Sequence, residues 1–144
     1  MRVVVDTNVL ISAVLSPFGL PAELLDRWEI GDFELITSTA LLDELRRVLG
    51  YAHIRTLHRL DEEALDQRVE RFRQEATLVE PIERLAVVEQ DESDNRFFEC
   101  AVAGEAQIVV SGDRHLLNVG EYQGVQVLTP AAFVSYLDTV SREP

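Results

Sequence analysis

Four carboxylates, Asp6, Glu44, Asp94 and Asp113, occupy positions where an acid can do chemistry. Asp6 follows the β-branched run Val3-Val4-Val5, and Asp113 follows Ile108-Val109-Val110 with only Ser111-Gly112 between. Each therefore lies at the C-terminal end of a buried strand, where open α/β sheets form their ligand crevices. Glu44 comes three residues after Leu41 and four before Val48, on the flank of the helical stripe Leu41, Leu42, Leu45, Val48 and Leu49. Asp94 comes three before Phe97, four before Phe98 and seven before Ala101, so it shares the inward face of its helix.

A plainer reading stands beside each. Asp6 and Asp113 can cap the helices that follow them. Glu44 can pack its stem at the core edge with its head in water. Asp94, in the run Asp91-Glu92-Ser93-Asp94, can complement a helix dipole. Joint placement carries the chemical reading. Carboxylates aimed at one cleft raise each other's pKa unless cations neutralise them. Oxygen donors without histidine or cysteine suit hard ions such as Mg²⁺ or Mn²⁺, and these ions serve phosphodiester hydrolysis.

The elements that position these acids alternate. Strands are expected at Val3–Val5, Phe33–Ile36, Ile108–Val110 and Val125–Leu128. Helices are expected over Asn8–Leu15, Pro21–Trp28, from Ser38 or Thr39 to Leu49, Asp61–Ala76, Ser93–Ala103, Arg114–Asn118 and Pro130–Leu137. Gly104 is expected to end the Ser93 helix. The pattern predicts an α/β fold with a largely parallel sheet covered on both faces, in a single domain spanning residues 1–144.

Composition narrows the function. All 13 basic residues are arginine, which removes P-loop phosphate binding and lysine chemistry. A net charge of −13 argues against an electrostatic clamp on duplex DNA. The single cysteine, Cys100, excludes an internal disulfide framework and reads as a small core residue. No apolar run approaches the ~20 residues of a membrane helix, so no membrane association and a cytoplasmic location are expected. His53, His58 and His115 lack ligand spacing and read as surface residues. Trp28 and the phenylalanines read as core, not as platforms for stacked bases. Residues 46–73 hold seven arginines against five acids, a local +2 in a chain whose remainder carries −15. That stretch reads either as solvated helix faces or as a contact for nucleic-acid phosphates.

Four segments then match a family. They are Val4-Val5-Asp6-Thr7-Asn8-Val9-Leu10, Leu41-Leu42-Asp43-Glu44-Leu45, Asp91-Glu92-Ser93-Asp94-Asn95 and Val110-Ser111-Gly112-Asp113-Arg114-His115-Leu116-Leu117. In that order they resemble the PIN-domain nucleases, above all the small prokaryotic ones that include VapC-like toxins of toxin–antitoxin modules. The resemblance runs from Arg2 to Phe133. It implies a three-layer α/β/α fold with a central, mostly parallel sheet and a metal-dependent endoribonuclease acting on RNA. It makes Asp6, Glu44, Asp94 and Asp113 the catalytic, metal-holding quartet for Mg²⁺ or Mn²⁺, with Thr7 or Asn8 and Ser111 as supporting polar groups. A cognate antitoxin and a homodimer are also implied. Arg114-His115 departs from the family, whose members often carry a lysine and an acid there.

Rival readings fare differently. A dehalogenase-like phosphatase needs a second aspartate two residues after the first, where Asn8 stands, and a phosphoacceptor receiver needs a lysine. A non-catalytic PIN-like binding module and an RNA-processing nuclease without an antitoxin remain as alternatives.

Overall fold

The computed structural model describes residues 1–141, so the last three residues of the expected domain lie outside the described residues. Four strands form a parallel core: β1 (Arg2–Val5), β2 (Glu34–Thr37), β4 (Ile108–Val110) and β6 (Val125–Leu128). Two-residue strands sit at the edges: β3 (Thr77–Leu78) pairs parallel with β2, and β5 (Glu121–Tyr122) pairs antiparallel with β6. The sheet order is β3-β2-β1-β4-β6-β5. Edges this short offer little backbone for unwanted pairing.

Strand periodicity divides the core. Val3, Val5, Leu35, Ile108 and Val110 point to one face and pack with α1 (Thr7–Leu15), α2 (Leu20–Glu29), α3 (Thr39–Leu49), α5 (Glu62–Glu75) and α8 (Pro130–Ser141). Val4, Ile36, Val109 and Val127 point to the other, against Phe97, Phe98 and Ala101 of α6 (Asn95–Ala103) and Leu116 of α7 (Arg114–Val119). Continuous apolar strands are what a sheet buried on both faces requires. The result is the expected three-layer α/β/α arrangement with a mostly parallel sheet.

Departures from the expected elements have local causes. Helix α4 (Ala52–His58) was not anticipated, because it has no buried residue and hence no apolar stripe. The helix expected from Ser93 begins instead with a 3₁₀ turn, Glu92–Asp94, before α6 proper. Gly104 does end α6, but not through the left-handed cap: its φ is −91°. Glycine is needed there because a Cβ would lie 2.5 Å from Cγ2 of Ile36.

Candidate functional site

Strands β1 and β4 are parallel neighbours with Val5 opposite Val110, so Asp6 and Ser111 emerge side by side where they stop. The Asp6 N–H donates to the Val110 carbonyl at 2.9 Å, extending the ladder by one bond. Asp6 is buried, and both of its carboxylate oxygens are engaged. Oδ1 accepts the Asn8 N–H at 3.0 Å, and Oδ2 accepts the Ser111 hydroxyl at 2.6 Å. The same hydroxyl accepts the Asp113 N–H at 2.9 Å, so one buried side chain ties the two strand ends together. Asp113 in turn accepts the His115 N–H at 2.7 Å. Asp6 and Asp113 are thus helix caps, as the plainer reading had it, and they still face one crevice. A carboxylate offers about four lone-pair sites, so a cap does not exhaust it.

Glu44 is half-buried on α3. Burial raises its carboxyl, the Arg47 guanidinium opposes this, and Asp6 and Asp91 add to the rise. Asp94 ends the 3₁₀ turn at 8% exposure, and its Oδ2 is buried without a hydrogen-bond partner. Burial pushes its carboxyl up to about 6, reinforced by Asp113, Asp91 and Asp6 and opposed by His115. Asp6 is also raised, chiefly by burial, against the bonds from Ser111 and Asn8 and with the Asp113 charge adding. Asp6 therefore acts on both Glu44 and Asp94, and Asp113 acts on both Asp6 and Asp94.

Asp91 joins this group, although sequence reasoning gave it no role of its own. It caps the 3₁₀ turn, accepting the Ser93 N–H at 2.9 Å and the Ser93 hydroxyl at 2.6 Å. Those bonds hold its carboxyl below the ordinary range. Two buried side chains of α6 bind the irregular stretch that leads to it. Asn95 accepts the N–H groups of Val87 at 2.9 Å and Val88 at 2.7 Å. Glu99 accepts the Leu85 N–H at 3.0 Å and pairs with Arg96 and with Arg84 at 3.5 Å. The signal available in sequence was Asp91 itself, three residues before Asp94 in an acid run; nothing local marked Asn95 or Glu99 as anchors.

The expected supporting groups divide. Ser111 is the bridge just described. Thr7 is buried in the first turn of α1, and exposed Asn8 lines a cleft of about 350 Å³ with Asp6, Ser12, Pro21, Asp113 and Pro130. The unpartnered Asp94 oxygen and the mutual repulsion of the acids both suit a bound cation. Among the described residues, no three His, Cys, Asp or Glu side chains are set to hold a metal ion as they stand. The Asp6 and Asp113 caps account for this in part, since each directs an oxygen at a backbone N–H.

The profile of the PIN domain matches residues 2–115, a span that contains all four acids. The chain belongs to the PIN-domain family. It is also similar to an uncharacterized protein of Methanocaldococcus jannaschii, 29% identical over 128 residues, a match covering 83% of this chain and 75% of the other. PIN domains are generally nucleases, and nucleic acid is their substrate class. No helix among the described residues of this PIN domain is long and apolar enough to cross a membrane.

Other expectations fare unevenly. Four of the seven arginines of residues 46–73 are paired with acids, in keeping with the reading of solvated helix faces. Arg46 pairs with Glu62 and, at 2.7 Å, with Asp66; Arg55 pairs with Glu62 at 2.9 Å. Arg71 pairs with Glu29 at 2.6 Å, and Arg73 with Glu70 at 3.3 Å. His58 is no simple surface residue: Nδ1 accepts the Leu60 N–H at 2.9 Å, leaving Nε2–H to donate to the Leu49 carbonyl at 2.8 Å. His115 is exposed but stands near Asp91 and Asp94. Cys100 is a buried core residue, as expected. Trp28 stacks on Phe72 in the core, whereas Phe18 is 83% exposed and breaks the expectation that every phenylalanine is internal.

Proposed function

We propose that this chain is a single-domain, divalent-metal-dependent endoribonuclease, with Asp6, Glu44, Asp94 and Asp113 as its metal-holding and catalytic acids. The observation that carries the reading is the buried, unpartnered Oδ2 of Asp94 among like charges. An unsatisfied buried carboxylate oxygen is costly, and a cation removes that cost. Mg²⁺ or Mn²⁺, when bound, supplies an acidified water and neutralises charge developing on the phosphate. The protein's own groups do the positioning. Ser111 holds Asp6 and the Asp113 backbone in one frame, Asp6 caps α1 by accepting the Asn8 N–H, and Glu44 stands on α3. Asp94, whose carboxyl burial raises to about 6, would hold the cation through its unpartnered oxygen.

The biological setting belongs to the same proposal. A cytoplasmic toxin with a cognate antitoxin and a homodimeric state follows from the likeness of the four motifs to VapC-like proteins. The test of the activity is direct. Purified chain should cut single-stranded or looped RNA with Mg²⁺ or Mn²⁺ and stop with EDTA. Full cutting by Asp6→Asn, with contaminating nuclease excluded, would overturn the assignment. A second reading, a non-catalytic PIN module that binds nucleic acid or protein, is favoured by the absence of a ready-made ligand set among the described residues. RNA binding without any metal-dependent cutting would select it. An RNA-processing nuclease without an antitoxin differs only in its partner, and a short neighbouring frame encoding a DNA-binding protein would argue against it.

A further inference from the structure

The nuclease reading leaves open how so acidic a chain holds a polyanion. Tracking a phosphate backbone needs surplus cations. This chain carries −13, and arginines 46, 55, 71 and 73 are paired with acids. Stacking of bases on an aromatic ring needs no such charge, and it supplies affinity in proteins that bind single strands.

An exposed aromatic ring stands in the turn that leads to Pro21, one wall of the cleft lined by Asp6 and Asp113. Phe18, at 83% exposure, is the most exposed aromatic side chain among the described residues. It lies in the turn between α1 and α2, three residues before Pro21, which lines the cleft with Asp6 and Asp113. Ser12 and Asn8 of α1 line the same cleft. The turn is preorganised. The Ser16 hydroxyl accepts the Phe18 N–H at 3.3 Å and donates to the Phe18 carbonyl at 2.9 Å, clamping the backbone that carries the ring. Gly19, at φ 104°, then takes a backbone conformation that disfavours side chains and lets α2 start at once. A large apolar side chain held out into water by a braced turn, beside a cleft suited to phosphate chemistry, fits a flat apolar partner.

We propose that Phe18 is the platform on which one unpaired nucleobase of the substrate stacks, so that the strand is gripped by a base on one side of the cleft and by its phosphate on the other. This rests on the nuclease reading and specifies it: the substrate is unpaired at the cut, since a base inside a duplex cannot reach the ring.

The test compares a single-stranded RNA hexamer with an abasic hexamer of the same backbone, by fluorescence anisotropy with Ca²⁺ in place of Mg²⁺. Phe18→Ala should weaken RNA binding about tenfold and leave the abasic strand unchanged. Phe18→Tyr should keep parental affinity, while Phe18→Leu, apolar but not flat, should not. Equal loss on both strands, or no loss on RNA, overturns the proposal. So does a parent chain that cuts the hexamer in Mn²⁺ yet binds it no better than the abasic strand. Sedimentation closes the other route: a dimeric parent and a monomeric Phe18→Ala would place the ring in a protein interface and overturn base stacking. Neither binding nor cutting by the parent would fail the nuclease reading itself, and the inference with it.

Discussion

On the surface built by α3, α4 and α5, positive and negative side chains find each other. Arg46 reaches Glu62 and Asp66, Arg55 shares Glu62, and Arg73 turns back to Glu70. At the C-terminal end of the sheet the reverse holds. Asp6, Glu44, Asp91 and Asp94 raise or feel one another's charge, and Arg47 beside Glu44 and His115 beside Asp91 and Asp94 are the cationic influences on them. Exposed pairs cost little to form and add little to stability. Buried like charges weaken the fold, and selection keeps such strain where activity needs it. On the proposed reading the strained cluster is the working site and the paired face is a solvated surface, although that face holds more of the chain's basic residues.

The strongest way to break this contrast is to neutralise the four acids singly. Asp6→Asn, Glu44→Gln, Asp94→Asn and Asp113→Asn should each lower RNA cutting by roughly a thousandfold, the several kcal/mol that metal-assisted charge stabilisation provides. Parental rates in any two of them would dissolve the quartet. The support beneath the cleft comes next. Asn95→Ala leaves the Val87 and Val88 N–H groups without their acceptor and should cost about 2 kcal/mol in urea unfolding. An unchanged midpoint would mean that Asn95 does not anchor the stretch before Asp91.

A smaller effect reads the strain itself. Asp94 has a folded pKa raised from 3.8 to about 6, so the folded state holds its proton more tightly than the unfolded chain. Its contribution is neutral below about pH 4, turns unfavourable as pH rises to 6, and stays so above. Asp94→Asn lacks this loss. In metal-free melts the variant should therefore gain on the parent by on the order of 3 °C between pH 4 and 7. Mn²⁺ should raise the parent's midpoint more than the variant's, by mass action on the folded state. A constant offset across pH with no metal shift would class Asp94 as a structural acid. The smallest effect belongs to the other face. A double-mutant cycle on Arg46 and Glu62 should give a coupling of about 0.5 kcal/mol, and Arg55→Ala should leave RNA affinity and its salt dependence unchanged. A clear loss of affinity there would restore that face as a contact surface.

Local signals recovered most of the architecture. The β-branched runs at residues 3–5 and 108–110, the Ser38 cap and Pro21 each announced an element that the structure contains. Elements lacking a local signal escaped. Helix α4 buries no residue fully, and β3 and β5 are two residues long and exist only because a neighbour pairs with them. Residue types misled where exposure is decided by context. Phe18 looks like core and is not, and which arginines of residues 46–73 pair with acids on other helices is visible only in the fold.

The amino-acid order alone pointed to a largely parallel sheet covered on both faces, because unbroken apolar strands alternating with helices must be buried on both sides. It also determined that Asp6 and Asp113 would stand at strand ends, since a strand stops where its apolar run gives way to a cap. What only tertiary structure decided was adjacency. Strand β4 had to settle against β1, 105 residues away in the chain, before the Ser111 hydroxyl could bind Asp6. Only then could Asp113 and Asp6 together raise the cost of ionising Asp94. Electrostatic strain of that kind depends on separation in space, and the spacing of residues along a chain does not encode it.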